Sequence, residues 1–167
     1  TKVSNTNEET WTLLPDGSLL TVQIVGAPAT ERYVPSTDQW VNAGNTLSTL
    51  PLVSITDPVT TNVITIKEMG PALALPDGRA FFVGGTGHTA LYTPATNTWA
   101  AGQDLPADTS VGNYNHVNGR LQTAIDTPGG VLPTGLVPLV GGHTVREVSS
   151  SGALYFWAYP CTVCLYA

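Results

Sequence analysis

The feature that most constrains this chain is an internal repeat. The segment LLPDGSLLTV, residues 13–22, matches ALPDGRAFFV, residues 74–83, at a distance of 61 positions. A second landmark follows in both copies, because YVPSTDQW, residues 33–40, matches YTPATNTW, residues 92–99, at a distance of 59 positions. Self-similarity at such a period is typical of units that bury their apolar faces against copies of themselves.

A third copy is more divergent. PGGVLPTGLVPLVGG, residues 128–142, aligns without a gap to PALALPDGRAFFVGG, residues 71–85, at a distance of 57 positions. The similarity then fades, since no Trp stands seven residues beyond Tyr155 as Trp99 stands seven beyond Tyr92. The chain therefore holds three repeats of about 60 residues.

Each repeat has the pattern of four antiparallel strands. Asp-Gly predicts a tight hairpin between the first two strands, Gly-Gly ends the second, and the Tyr and Trp fall on the third and fourth. Four such strands cannot bury both faces alone, so the repeats are expected to stack face to face as propeller blades. We predict one all-β repeat domain over residues 1–167. Its expected parts are blade 1 at about 8–44, a connection at 45–68, blade 2 at about 69–103, a connection at 104–123 and blade 3 at about 124–160.

The two connections differ in pattern. TNVITIK, residues 61–67, alternates polar and apolar residues and predicts an extra strand or hairpin in the first connection. The second connection is polar and rich in Asn, which predicts a long loop of the kind that often carries binding residues.

Composition agrees with an all-β fold and limits the partners. The chain has 17 Gly and 13 Pro, only 11% charged residues and no helical apolar period. The net charge is −6 and the six Lys and Arg are scattered, so nucleic acid is not expected as a partner. No apolar run is long enough to span a membrane. Low charge and abundant Thr and Gly favour an extracellular or cell-surface protein.

The strand, turn and Gly-Gly pattern, with Tyr and Trp at fixed separation, resembles the kelch-type β-propeller blade of galactose-oxidase-like and bacterial kelch-repeat proteins. The resemblance implies that the paired glycines allow close backbone approach near the central channel and that the aromatic residues pack between blades. These structural roles fall on Gly84, Gly85, Gly141, Gly142, Tyr33, Trp40, Tyr92 and Trp99. Propellers close with 4 to 8 blades. About three blades therefore predict an incomplete ring, unless the chain is part of a longer protein or forms a homo-oligomer.

Four residues are candidate ligand-binding residues. His88 and His143 follow the Gly-Gly of consecutive blades and could lie at the same end of a channel, while Tyr114 and His116 lie in the Asn-rich connection. A metal site needs three or four ligands, which this pattern does not supply. We therefore expect no metal or cofactor, and the simplest interpretation of each histidine is a polar loop residue.

Cys161 and Cys164 form a single CxxC near the end of the chain. One such pair lacks the four ligands of a structural zinc site, and a proline precedes it where a redox motif would open a helix. A local disulfide and two thiols both remain open.

The sequence favours a non-catalytic extracellular module that binds protein or carbohydrate, or serves as a structural subunit of an assembly. No catalytic residue is predicted, although enzyme activity is left open. The alternative is a fragment of a galactose-oxidase-like copper enzyme, or another carbohydrate-active enzyme. The resemblance implies a copper site with Tyr and His ligands and a Tyr–Cys crosslink, but both cysteines are terminal, and Tyr114 with His116 is the only close Tyr/His pair.

Overall fold

The computed structural model describes residues 1–2, 9–56, 63–105, 127–139, 143–148, 154–158 and 164–166. These residues form fourteen strands and no helix, so the all-β prediction is confirmed. The strands are β1 (Trp11–Leu13), β2 (Leu19–Val22), β3 (Ala29–Val34), β4 (Gln39–Asn45), β5 (Leu52–Thr56), β6 (Val63–Lys67), β7 (Met69–Ala74), β8 (Ala80–Gly84), β9 (Thr89–Thr93), β10 (Thr98–Ala101), β11 (Val137–Leu139), β12 (His143–Val148), β13 (Leu154–Ala158) and β14 (Cys164–Tyr166).

The fold contains two complete blades. Strands β1 to β4 form one four-stranded antiparallel sheet in chain order, and β7 to β10 form the second in the same order. The strand pairs are in equivalent register, since Trp11 lies opposite Thr21 in blade 1 and Ala72 lies opposite Phe82 in blade 2. The prediction of four-stranded antiparallel blades is confirmed for the first two repeats.

Three equivalent hairpins show that the third repeat begins like the others. In each, the residue before the proline donates its N–H to the carbonyl four residues further on, at 2.8 Å in all three. The glycine of each turn has a φ between +82° and +86°, which side chains rarely adopt and which explains the repeated glycine. These glycines are Gly17, Gly78 and Gly135.

The third repeat departs from the blade pattern after its second strand. Gly129 forms an antiparallel bridge with Leu139, and the equivalent residues of blade 2, Ala72 and Phe82, are paired in the same way. These pairings agree with the gapless alignment. The other edge of β11, however, pairs with β14. Strands β12 and β13 pair with each other in a separate hairpin that contains a bulge. The C-terminal strand thus lies beside β11, where blades 1 and 2 have their third strand.

The first connection contains the predicted additional hairpin. Strands β5 and β6 pair antiparallel, with Leu52 opposite Lys67 and Thr56 opposite Val63. The second connection, predicted at 104–123, lies outside the described residues from 106 onward, and so do Tyr114 and His116.

The two blades stack with equivalent strands adjacent, β1 beside β7 and β4 beside β10. Successive side chains of a strand point to opposite faces of its sheet. Leu20 and Val22 of blade 1 therefore share one face, and they pack in the same core as Phe82 of blade 2. The opposite face of β8 presents Phe81 and Val83 to the third repeat, where they pack with Leu105, Val137 and Leu139. The architecture is an open, propeller-like arc with two full blades among the described residues. The same part of the chain contains no helix that could cross a membrane.

Candidate functional site

An aromatic cluster covers the face of blade 1 that points away from blade 2, which we call the open face. Trp40 lies opposite Tyr33 in the register of β3 and β4, with ring centroids 5.4 Å apart and planes at 46°. Trp11 of β1 meets Trp40 edge to face, also at 5.4 Å, with planes at 81°. The Lys2 ammonium lies 5.6 Å from the centroid of Trp40 and 5.8 Å from that of Trp11. The open face is therefore an aromatic platform with a cation above it.

Blade 2 carries an equivalent cluster in the same geometry. Trp99 packs against Tyr92 with centroids 5.1 Å apart and planes at 49°, and against Phe82 at 5.1 Å and 67°. Each tyrosine hydroxyl also donates a 2.8 Å hydrogen bond to the side chain five residues further on, Asp38 for Tyr33 and Asn97 for Tyr92. In blade 1 the small Thr21 occupies the position equivalent to Phe82. The edge-to-face partner of Trp40 is therefore Trp11.

In blade 2 this cluster holds two blades together. Trp99 Nε1 donates to the Ala43 carbonyl of blade 1 at 2.9 Å and lies 3.2 Å from Thr30 Oγ1. Phe82 and Tyr92 are fully buried in the core between the blades. Gly44, next to the Ala43 carbonyl, has a φ of +80°, which side chains rarely adopt. The indole is therefore an inter-blade contact with both an apolar and a hydrogen-bonded component.

Beside the aromatic cluster, the open face buries a charged network. Lys2 Nζ lies 2.9 Å from Glu9 Oε1 and 3.9 Å from Glu31 Oε2, and the carboxylate side chains are only 0% and 4% exposed. Glu9 also accepts a hydrogen bond from Thr21 Oγ1 at 3.2 Å, and Glu31 accepts one from Gln23 Nε2. Buried charges of this kind require partners because desolvation is costly. Blade 2 has the apolar Ala90 at the position of Glu31.

The two tyrosines of these clusters have raised pKa values for different reasons. The hydrogen bond that Tyr33 donates to Asp38 raises the pKa of its exposed phenol, because the bond stabilises the protonated form. Burial is the main cause of the raised pKa of Tyr92, and the charges of Arg32 and Asp16 on blade 1 also act on it. These two residues form an ion pair, with Arg32 Nη1 3.1 Å from Asp16 Oδ2.

A groove of about 290 Å³ lies on blade 2, on the face that points toward the third repeat. Its floor is apolar and is made by Leu75, Phe81 and Leu91, with Val137 of the third repeat as one wall. The complete lining is Leu75, Pro76, Asp77, Arg79, Phe81, Leu91, Gly102, Gln103, Gly135 and Val137. We call this surface the blade 2 groove.

The sequence-predicted ligand residues are not assembled into one site by the described residues. His88 Nδ1 lies 2.9 Å from Asp104 Oδ1 at the ends of β9 and β10, and both side chains are partly exposed. His143 begins β12, and its side chain lies outside the described part, as do Tyr114 and His116. Within the described ranges, no three His, Cys, Asp or Glu residues are grouped to hold a metal ion.

The paired glycines Gly84 and Gly85 approach backbone of the first connection. A Cβ on Gly84 would overlap the Leu50 carbonyl, and one on Gly85 would lie 2.6 Å from the Glu68 oxygen. Gly85 N donates to that same Glu68 oxygen at 3.0 Å, and Thr86 Oγ1 donates to Leu50 O at 3.2 Å. The pair therefore seats both ends of the β5–β6 hairpin against blade 2. Gly141 and Gly142 lie outside the described residues.

A second cavity, of about 240 Å³, lies where the first strands of the three repeats begin. Glu9 and Thr10 contribute from blade 1, Glu68 from the start of blade 2 and Thr127 from the start of the third repeat. Of the two glutamates in this lining, Glu9 is paired with Lys2.

Comparison with known proteins adds little to this geometry. No protein-family model and no curated protein matches the chain. Among solved structures it is similar to a catalytically inactive virginiamycin B lyase from Staphylococcus aureus with quinupristin, at 9% identity and a TM-score of 0.36. The match covers 96% of this chain and 59% of that one, so the chain spans less than two thirds of that structure.

Sequence reasoning missed both the charged network and the blade 2 groove. The register offers a signal for the first, since Thr21 and Glu31 occupy the positions where blade 2 has Phe82 and Ala90. The signal for the blade 2 groove is that no Trp stands seven residues beyond Tyr155, so the third repeat has no residue equivalent to Trp99.

Proposed function

We propose that this chain is a non-catalytic, extracellular propeller module of the kelch type that acts in protein or carbohydrate binding or as a structural subunit of an assembly. We further propose that its open face is a docking surface for protein. The kelch assignment draws on the repeated motifs, and the extracellular location on the low charge and the abundant Thr and Gly.

One observation carries the docking proposal. Tyr33 and Trp40 on the open face reproduce the Tyr92–Trp99 pair, with centroid distances of 5.4 Å and 5.1 Å and interplanar angles of 46° and 49°. The second pair lies against the preceding blade and bonds its backbone. The first pair has the same geometry on a face that no described blade covers, and Trp40 is only partly buried there.

Side-chain chemistry favours protein as the partner. Trp and Tyr are the residues that most often dominate protein interfaces, because a large apolar ring and one hydrogen-bonding atom are ordered at low entropic cost. Among the described residues, none accepts a hydrogen bond from Trp40 Nε1, whereas Trp99 Nε1 bonds a carbonyl of the neighbouring blade. A partner that offers backbone carbonyls beside an apolar surface, as a blade does, matches both requirements.

A covalently supplied blade tests this proposal. We expect fusion of a copy of residues 69–105 to Thr1 through a flexible Gly/Ser linker to raise the free energy of unfolding of the remaining chain by about 2 kcal/mol or more, since a buried Trp anchor contributes on this scale. Urea unfolding monitored by circular dichroism gives the free energies of fused and unfused chains.

The matched control is the same fusion carrying Trp40→Ala, which should lose most of the gain. A fusion that folds but gives no gain, or a gain that persists without Trp40, would show that the open face does not dock a blade.

A further inference from the structure

We propose that the open face of blade 1 contains a binding site for the side chain of a lysine from a protein partner, and that Lys2 fills this site in the free chain. This inference rests on the proposed docking role of the open face. It adds the group that is recognised, an alkylammonium ion, and the residues that bind it. Trp11 and Trp40 supply aromatic rings, and Glu9 and Glu31 supply carboxylates.

The two tryptophan rings form a corner around the ammonium group. The planes of Trp11 and Trp40 meet at 81°, and Lys2 Nζ lies 5.8 Å and 5.6 Å from their centroids. A cation at such a distance is attracted by the negative face of an aromatic ring. A compact ammonium group fits between two rings at nearly a right angle, whereas the planar guanidinium of arginine favours stacking on a single ring.

Two carboxylates complete the site. Lys2 Nζ lies 2.9 Å from Glu9 Oε1 and 3.9 Å from Glu31 Oε2. The glutamate side chains are only 0% and 4% exposed, so water screens their charges weakly. Thr21 Oγ1 donates a hydrogen bond to Glu9, and Gln23 Nε2 donates one to Glu31, which orients both carboxylates. The site is therefore built from groups that are held in position by the blade itself.

Blade 2 shows that the blade fold does not require these residues. Both blades have the Tyr–Trp pair, as Tyr33 with Trp40 and as Tyr92 with Trp99. The face of blade 2 that blade 1 covers has small, uncharged residues at the remaining positions. Glu9, Trp11, Gln23 and Glu31 are replaced there by Gly70, Ala72, Gly84 and Ala90. The charged and aromatic set thus belongs to the open face and not to the repeat.

Lys2 indicates both the ligand and the way in which a partner replaces it. Its side chain, 11% exposed, lies over the rings of the face that is proposed to dock protein. A buried ion pair adds little net stability once desolvation is included, so the set is not explained by stability alone. A lysine of a docked protein reaches the same rings and carboxylates. Exchange of one ammonium group for another keeps both carboxylates paired and so avoids an uncompensated buried charge.

Lys2→Ala empties the site, which is then probed with capped amino acids. We expect Nα-acetyl-lysine amide to bind this variant about tenfold more tightly than the norleucine amide, which has the same aliphatic stem without the charge, and than the arginine amide. The native chain should bind the lysine amide about tenfold more weakly than Lys2→Ala does, because Lys2 is tethered at the site. Titrations monitored by tryptophan fluorescence give the dissociation constants.

A matched variant tests the role of the carboxylates. Glu9→Gln in the Lys2→Ala background keeps the shape of the side chain and removes its charge, so it should weaken binding of the lysine amide about tenfold and leave the norleucine amide unaffected. Equal binding of the lysine and norleucine amides by Lys2→Ala would overturn the inference. Equal binding of the lysine amide by the native chain and by Lys2→Ala would overturn it as well.

The native chain offers a test that needs no variant to fold. Reductive methylation with isotope-labelled formaldehyde keeps the charge of a lysine, and the methyl signals of Lys2 should lie upfield of those of the exposed Lys67, because the ring currents of Trp11 and Trp40 act on Lys2. Coincident methyl signals would contradict the site.

The outcome is separable from that of the docking proposal. Residues 69–105 contain no lysine, so the fused blade described above leaves Lys2 in place and tests docking alone. A fused blade that stabilises the chain, together with a lysine amide that binds no better than the norleucine amide, removes the lysine site and keeps the docking face.

Discussion

Replacing Trp99 by alanine should lower the free energy of unfolding by about 3 kcal/mol, at the lower end of the range for a large aromatic core residue because the indole is half-buried. The change removes ring contacts with Phe82 and Tyr92 and leaves the Ala43 carbonyl without the N–H that it accepts at 2.9 Å. Urea unfolding of native and variant chains measures the loss.

Two further variants separate the components of that loss. Trp99→Phe keeps a six-membered ring between the blades and removes the N–H together with the rest of the pyrrole ring, so it should cost less than Trp99→Ala, about 1 to 2 kcal/mol. Trp40→Ala, the equivalent change on the open face, should cost clearly less than Trp99→Ala in a dilute monomer because no blade formed by the described residues covers it. Equal costs for Trp40→Ala and Trp99→Ala would contradict the difference between a filled and an open blade face.

Replacing Gly84 by alanine should cost about 3 kcal/mol, because overpacking against backbone is relieved only by moving a strand. A Cβ at this position would overlap the Leu50 carbonyl, whose carbon lies 2.8 Å away, at the base of the β5–β6 hairpin. Hydrogen exchange should show increased opening of that hairpin, and chemical denaturation measures the free energy.

Gly130 offers a matched control for this prediction. It has no positive φ, and a Cβ there would meet nothing within 4 Å, so Gly130→Ala should change the free energy of unfolding by less than about 0.5 kcal/mol. If Gly84→Ala were as mild as Gly130→Ala, the close approach of blade 2 to the first connection would be wrong.

The local architecture could be predicted because each element has a chemical cause that lies within the sequence. Asp-Gly predicted tight turns in the first two repeats, where Gly17 and Gly78 have a positive φ, and Gly135 of the Thr-Gly turn in the third repeat has it as well. Alternation in TNVITIK predicted the hairpin of the first connection, and β5 and β6 pair there. Four strands that cannot bury both faces alone predicted repeats that stack, and residues of β2 and β8 do pack between repeats. These features depend on residues close in sequence.

The rest depends on pairings between distant residues. The partner of β11 could not be predicted, because Cys164–Tyr166 has no counterpart in the other repeats. This strand pairs with residues 137–139, which are distant in sequence. The charged network also joins distant residues, since Lys2 contacts carboxylates at residues 9 and 31, and only Thr21 and Glu31 signal its place in the sequence. The ligand-binding roles proposed for His88 and His143 from their equivalent positions remain predictions, and the described contacts pair His88 with Asp104.

Tyr92 and Trp99 lie between two blades, whereas the equivalent pair Tyr33 and Trp40 lies on the open face. Hydrogen exchange at the indole Nε1–H groups, measured by NMR on a dilute monomeric sample, tests this difference most directly. Trp99, which donates to Ala43 O at 2.9 Å between two sheets, should exchange at least tenfold more slowly than Trp40, and Trp40 should become protected in the fused chain. Equal exchange of the two indoles in the monomer would contradict the account.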